Sequence, residues 1–368
     1  MNQNDDGAAE SSSIDEYLGK RLKPVEGVIP RFAGIEMFGN SIPAANADGD
    51  LFEYINFQHR YNIDARIERA SKLAVQFLEP LADGLEPRNT VDAHVQWLKA
   101  KSDYTQHDAT RYRQAKSSKQ TRIAETLQEL YTTAVVLLVD AQGHGTIAAR
   151  IASTVHDTFH TAMLCELDAN GKATAAVFEI INLGLAHSVS ARGSLGFDAE
   201  NNSREIATMV YGEILPDGLF RLVNFGHPPP PGFSAEYGRF MDIEWDRMVQ
   251  FPSLGLEIPE DHADRSRYVP LMLRPTQMTT ADLDEITLMS SGEIIFLYTD
   301  GVFDGSGERD KEEIERIFRD CNRKPAKDIC NVNLAYALIS DGLLRETGQA
   351  DLIDDETVFI IKRLDTKD

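Results

Sequence analysis

Aspartates stand at four places where an apolar run begins or ends. In GEIIFLYTDGVFD, residues 292–304, the unbroken apolar stretch from Ile294 to Tyr298 stops in Thr-Asp-Gly at Asp300. VVLLVDAQGHG at 135–145 repeats the arrangement with Asp140. ADGDLFEY at 47–54 puts Asp50 just ahead of Leu51 and Phe52, and LIDDETVFIIKR at 352–363 puts Asp354 and Asp355 ahead of the last strand-like run. A carboxylate at the end of a buried strand costs free energy unless a cation or a set of donors meets it. The alternative for a lone Thr-Asp-Gly is a turn aspartate capping the next helix. Four acidic strand ends in one chain look like a hard-cation site, because carboxylate oxygens suit Mg²⁺ or Mn²⁺. Two such ions roughly 3.5–4 Å apart can turn a bridging water into a nucleophile and clamp a phosphoryl group. No serine or cysteine nucleophile motif competes, so attack on a phosphomonoester would come from water, helped by charge neutralisation and in-line positioning.

These residues need rigid elements to bring them together. Fully apolar runs such as 294–298 and the β-branched run 132–139 suit strands buried on both faces. Residues 30–54 read as two strands broken around Pro43 and the 46–49 turn. Residues 206–225 read as a hairpin about Pro216-Asp217-Gly218 that runs into Gly226-His227 and the prolines 228–231. The proline run is read as a stiff loop, with a ligand for a proline-reading domain as the alternative. His227 is read as a loop histidine bonded to backbone, with catalysis as the alternative. FPSLGL, 251–256, looks like a tight glycine turn, and 358–361 like the closing strand. Helices are expected over 146–166, 173–187, 311–319 and 329–344. The first follows Gly143 and Gly145, an arrangement that suits close approach of an anion.

Between the first two acidic strand ends the character changes. From residue 55 to 131 glycine is scarce, and Ile63, Ile67, Ala70, Ala74 and Leu78 fall at helical spacing. Val91, Val95 and Leu98 begin a second helix with Thr90 as its N-cap, and a third ends near residue 131. We therefore expect a helical insertion of two to three helices. It contains no expected metal ligand yet interrupts the connection between two, so its expected role is regulation or recognition. The basic residues between Lys99 and Arg122 read either as a solvated helix face or as a docking face for an acidic partner. Residues 1–20, acidic and serine-rich, read as a disordered tail.

With 59 acidic against 37 basic residues the formal net charge is −22, which argues against binding a nucleic-acid backbone or an anionic membrane surface. Hydrophobic content of 42% supports a real core. The three cysteines, Cys165, Cys321 and Cys330, have no Cys-x-x-Cys spacing, so they read as free thiols in a reducing cytosol. Apolar runs are too short to span a bilayer, and a cytoplasmic location is the expectation.

At these motifs the sequence resembles the SpoIIE/RsbU branch of the metal-dependent Ser/Thr protein phosphatases, the PPM or type 2C family. ADGD-LFEY resembles Gly-Gly-Asp-Phe-Tyr-Asp, and VDAQGHG resembles Asp-Val-Ser-Gly-His-Gly. ATMVYGEI with NFGHPPP resembles the central hairpin and Ala-Gly-His-Pro-Pro loop, and FPSLGL the Leu-Pro-Leu-Gly turn. LYTDGVFD resembles Leu-Tyr-Thr-Asp-Gly-Val-Thr-Glu, and DDETVFII the terminal Asp-Asp-x-Thr element. The landmarks keep the family order over about 35–54 and 132–363. The resemblance implies an α+β fold, an α-β-β-α sandwich of two antiparallel sheets flanked by helices. The phosphatase domain would be 21–54 plus 132–368, with 55–131 inserted within it. Asp50 and Asp140 would bridge two Mn²⁺ or Mg²⁺ ions, the Ala141 carbonyl would be a further ligand, and Asp300 and Asp354 would each hold one side. Asp355 matches a position that is usually not the primary ligand, and sequence does not separate it from Asp354. Glu53 would lie in the outer shell. Asp48, where the family has glycine, would alter the turn or add a ligand, and His144 would be a candidate general acid. No phosphate-binding arginine is assigned. The implied activity is hydrolysis of phosphoserine or phosphothreonine on a protein, often a STAS-domain anti-anti-sigma factor in a partner-switching stress or sporulation pathway. A homodimer is a further expectation. The alternative is a PPM-like regulatory module with little or no catalysis.

Overall fold

The computed structural model describes residues 29, 34–43, 48–101, 104–143, 145–194, 205–241, 251–256, 284–287, 290–302, 311–340 and 355–364. The tail at 1–20, His144, Asp354 and the end of the helix expected at 329–344 lie outside the described residues. The described residues form ten strands in two sheets and eight α-helices. In the first sheet the strands run β1 (Ile35–Ile42), β10 (Glu356–Arg363), β9 (Ile294–Tyr298), β6 (Gly232–Ser234) and β7 (Arg239–Phe240). In the second they run β2 (Asp50–Asn56), β3 (Ala134–Ala141), β4 (Ala207–Ile214), β5 (Leu219–Phe225) and β8 (Asp284–Thr287). Every pairing is antiparallel.

Alternation along the strands sorts the core into three layers. Ala134, Val136 and Leu138 of β3 meet Ile295 and Leu297 of β9 and Phe359 and Ile361 of β10 between the sheets. The odd residues of β3, Val135, Leu137 and Val139, face the other way, onto α5 (Thr146–Asn170) and α6 (Ala175–Ser194). Beyond the first sheet, Phe296, Val358 and Ile360 pack under α7 (Lys311–Cys321) and α8 (Ala326–Ser340). The result is a helix-sheet-sheet-helix sandwich of the α+β class. Both faces of β3 and β9 are covered, which is why their sequences show no polar alternation. No helix among the described residues is long and apolar enough to cross a membrane.

Among the described residues four α-helices connect β2 to β3, where two to three were expected: α1 (Phe57–Tyr61), α2 (Ile63–Leu78), α3 (Thr90–Lys99) and α4 (Gln106–Glu129). The extra helix arises at Asn62. This residue takes a left-handed conformation (φ 50°) that ends α1, and its side chain accepts from Ala65 N at 3.4 Å to start α2. Helix α3 is capped by Asn89, which accepts from Asp92 N at 2.8 Å, so Thr90 is its first helical residue and not the cap. The basic stretch is not wholly a solvated face. Arg113 is turned inward, and its Nη1 meets the fully buried Asp92 at 2.6 Å. These helices share the core of the second sheet: Phe57, Ile63 and Leu127 are at most 1% exposed and pack in the same cluster as β3 and α5.

Candidate functional site

Asp50 opens β2 and sits directly opposite Asp140, near the end of β3. Both share the face of their strands that looks between the sheets, because Phe52 and Leu138, two residues away, are core residues of that layer. The β4 residue opposite Asp140 is Thr208, whose hydroxyl lies 3.4 Å from Asp140 Oδ2.

The first sheet delivers its own residues to the same place. Strand β9 ends at Tyr298. Thr299, next in the chain and fully buried, donates its hydroxyl to Asp50 Oδ2 at 2.7 Å. Thr357, at the start of β10, donates to the same oxygen at 2.7 Å. The two threonines are knitted together: Thr299 N donates to Thr357 O at 3.1 Å and Thr357 N to Thr299 Oγ1 at 2.9 Å. Asp300 therefore begins its short 3-10 turn one residue beyond a hydroxyl that touches Asp50, with its side chain exposed. Asp355, 3% exposed, accepts from Gly49 N at 2.6 Å and so ties the start of β10 to the entry of β2.

Asp50 is 4% exposed. Burial pushes its carboxyl well above the usual range, and the charges of Asp140 and Asp48 push the same way, against the two threonine hydroxyls. A buried carboxylate pressed against another is stabilised by a cation placed between them, and a set of carboxylate oxygens fits a hard divalent ion. Asp48 shapes the turn: its Oδ1 accepts from Asp50 N at 2.9 Å and its Oδ2 from Ser41 Oγ at 2.8 Å. Gly49 has to be small here, because a Cβ would meet the Ala148 Cβ at 2.6 Å. Ala141, the strand residue after Asp140, donates its N–H to Gly49 O at 3.2 Å.

His227 bridges the sheets behind these carboxylates. One ring nitrogen, Nδ1, lies 2.8 Å from Thr208 Oγ1, and Nε2 lies 2.9 Å from Tyr298 O. The main-chain acceptor at Nε2 requires an N–H there, which leaves Nδ1 to accept from Thr208. Burial lowers its pKa to about 4, so the ring is neutral. The expected backbone bond of His227 is thus present, and the residue is built in as a cross-sheet strut.

A sequence profile describing Stage II sporulation protein E (SpoIIE) matches residues 132–364, well over half of the chain. The chain belongs to the SpoIIE family. The matched segment includes Asp140, His227, Asp300 and Asp355, whereas Asp50 and the helices α1–α4 precede it. Among solved structures, the SiaA-PP2C domain of Pseudomonas aeruginosa is similar at 12% identity and TM-score 0.51, over 99% of this chain and 100% of that one. The RsbU and RsbW domains of a Mycobacterium tuberculosis protein are similar at 17% identity and TM-score 0.46, over 91% of this chain. This chain spans 61% of that protein's length. At these identities the likeness concerns the fold. A direct comparison with curated protein sequences finds no match.

The SpoIIE-family reading of the sequence singled out the aspartates and not the hydroxyls around Asp50 and Asp140. Thr208, Thr299, Thr357 and Ser41 were missed, although the threonine of Thr-Asp-Gly and that of Asp-Asp-Glu-Thr sat inside the recognised motifs. Glu53 is not placed around the aspartates. Three residues after Asp50 on a strand, it faces the opposite way, toward α5. There its Oε2 meets His160 Nε2 at 2.6 Å and His156 Nε2 at 3.0 Å. Burial works to raise the Glu53 carboxyl, but the bonds and charges of the two histidines outweigh it and hold the group at about 2.

Proposed function

We propose that this SpoIIE-family chain is a divalent-metal-dependent phosphatase that removes phosphate from phosphoserine or phosphothreonine on a protein. One observation carries the reading: Asp50 and Asp140 are paired across β2 and β3 on the inter-sheet face, where hydroxyls from the ends of β9 and β10 converge on Asp50. Asp50, Asp140, the Ala141 carbonyl, Asp300 and Asp354 would hold Mn²⁺ or Mg²⁺, two ions in the full site. Bound there, the ions supply charge neutralisation for the phosphoryl group and Lewis-acid activation of a water.

The residues of the chain set the stage for that chemistry. The antiparallel register fixes the spacing of Asp50 and Asp140 without any loop. Thr299 and Thr357 hold the Asp50 carboxylate in one orientation from the opposite sheet. His227 stays neutral and locks Thr208 to the Tyr298 carbonyl, which sets where β9 ends and Asp300 begins. Asp300 is exposed, so an incoming phosphate group can reach this edge of the site.

The proposal extends to a STAS-domain anti-anti-sigma factor as the phosphoprotein, in a partner-switching pathway. Its support is the family resemblance of the motifs. The test is phosphate release by purified protein, first from an aryl phosphate with and without Mn²⁺, then from serine-phosphorylated STAS proteins encoded in the same genome. Mn²⁺-dependent release from both is expected. Release from neither, with the fold intact, would overturn the phosphatase reading, and release from the aryl phosphate alone would overturn the STAS substrate.

A further inference from the structure

The outer face of β2 is otherwise apolar. Leu51 and Ile55, on either side of Glu53, are 4% and 1% exposed and belong to the core of the second sheet. Against Glu53 the sequence of α5 sets His156 and His160, four residues apart and therefore on one helix face. Glu53 Oε2, His156 Nε2 and His160 Nε2 form a closed triangle with sides of 3.0, 2.6 and 3.1 Å. Each of the three offers a ligand atom to a common point.

We propose that Glu53, His156 and His160 form a binding site for a Zn²⁺-like divalent ion, separate from the aspartate site, that pins α5 to β2.

The donor chemistry supports this choice of ion. Two imidazoles and one carboxylate form a ligand set typical of zinc, and they leave a fourth position open. All-carboxylate sites favour Mg²⁺ or Mn²⁺ instead. Bonds of about 2.0–2.1 Å in tetrahedral geometry place neighbouring ligand atoms roughly 3.3 Å apart. The nitrogens are already 3.1 Å apart and Glu53 lies 3.0 Å from His156, so the side that must open most, by roughly 0.7 Å, is the 2.6 Å one between Glu53 and His160. Without an ion, two imidazole nitrogens this close must either share one proton or point two N–H groups at a single carboxylate oxygen. An ion would take all three lone pairs at once.

The surroundings are also arranged for it. A ligating histidine needs a partner for its other ring nitrogen. His160 Nδ1 lies 2.7 Å from Tyr61 Oη, and His156 Nδ1 lies 3.3 Å from Asp157 Oδ1. Binding through the Nε2 lone pairs would place each ring proton on Nδ1, facing those oxygens. Arg60 Nε lies 3.5 Å from Oε1 of Glu53 and leaves Oε2 to the histidines. The His156 side chain is 24% exposed and that of His160 12%, so an ion can enter from solvent. Tyr61 and Arg60 end α1, so the same ion would steady the first of the helices between β2 and β3. Glu53 lies three residues beyond Asp50, about 10 Å along the strand and on its other face.

The test uses the full chain carrying Asp300→Asn, which weakens the aspartate site, stripped with a chelator and titrated calorimetrically with Zn²⁺. One equivalent should bind, and it should be lost when His156→Ala and His160→Ala are added. No binding in the Asp300→Asn protein, or a stoichiometry unchanged by loss of both histidines, would overturn the proposal. If the histidine variant does not fold, X-ray absorption of the Asp300→Asn protein loaded with one equivalent of Co²⁺ decides the question. Two imidazole nitrogens around the ion are expected, and a shell of oxygens alone would overturn the site.

Discussion

Replacing Asp50 with asparagine should stabilise the metal-free protein while abolishing its stabilisation by metal. Asp50 is 4% exposed and faces Asp140 across the β2–β3 ladder. Cross-strand partners have Cβ atoms about 4.5–5.5 Å apart, and two unit charges about 5 Å apart repel by roughly 3 kcal/mol at an effective dielectric of about 20. The amide keeps an oxygen for the Thr299 and Thr357 hydroxyls, and its NH₂ can donate to Asp140. The gain is therefore at most about 3 kcal/mol, and less to the extent that Asp50 already takes up a proton. The pH dependence has a definite sign. A carboxyl raised by burial and by its acidic neighbours binds more protons folded than unfolded. Its contribution to stability is complete below the ordinary carboxylate range and is lost as pH rises through the folded value. The advantage of Asp50→Asn over wild type should thus open as pH rises and close below about pH 4. Urea unfolding in a chelator, across pH, with a parallel series in Mn²⁺, measures it. A variant less stable than wild type in the chelator by more than about 1 kcal/mol would mean that Asp50 is a hydrogen-bond hub and not a charge held for a cation.

Three further perturbations test how the site is supported. Gly49→Ala should lower stability by about 1–3 kcal/mol in thermal unfolding and weaken Mn²⁺ binding, because the new methyl must displace Ala148 at the start of α5; unchanged melting would refute the close packing. Arg113→Ala should lower the melting temperature, but at a cost below the about 3–5 kcal/mol of a fully broken buried pair, because Arg88 Nε stays 3.4 Å from the buried Asp92, and Arg113→Met combined with Asp92→Leu should recover most of the loss. Replacing residues 55–132 by a flexible linker should abolish cooperative folding. It removes Phe57, Ile63 and Leu127 from the core of the second sheet, and each fully buried side chain of this size contributes about 1.5–3 kcal/mol against a net stability of about 5–15. A soluble, cooperatively melting core would refute this.

Much of the architecture was legible because buried strands and turn chemistry are local signals. The run Ile294–Tyr298 became β9 with the expected ends, and Pro216-Asp217-Gly218 closes the β4–β5 hairpin, with Gly218 N donating to Leu215 O. What failed were signals that depend on which face is covered. The β3 sequence AVVLLVDA is apolar on both sides, so alternation could not reveal where Asp140 points. Glu53 was grouped with Asp50 by motif, although three steps along a strand reverse its direction. The short α1 was hidden because its boundary rests on the left-handed Asn62, a residue with no helix-breaking reputation to match proline or glycine. His156 and His160 carried a readable signal, a four-residue spacing on an expected helix, but their meaning came only from Glu53 on a strand about a hundred residues earlier. The threonine hydroxyls belong to the same class, since their partner Asp50 lies in the other sheet.

The central claim is that the strand-end carboxylates exist to hold divalent cations for phosphoester hydrolysis. The most direct test is turnover of an aryl phosphate against Mn²⁺ concentration for the wild type and for Asp300→Asn, with circular dichroism confirming the fold. Asparagine keeps the shape of Asp300 and removes one ligand charge. The account predicts saturable Mn²⁺-dependent turnover in the wild type, and weaker Mn²⁺ dependence with a large loss of turnover in the folded variant. Near wild-type turnover by Asp300→Asn at low micromolar Mn²⁺ would contradict it.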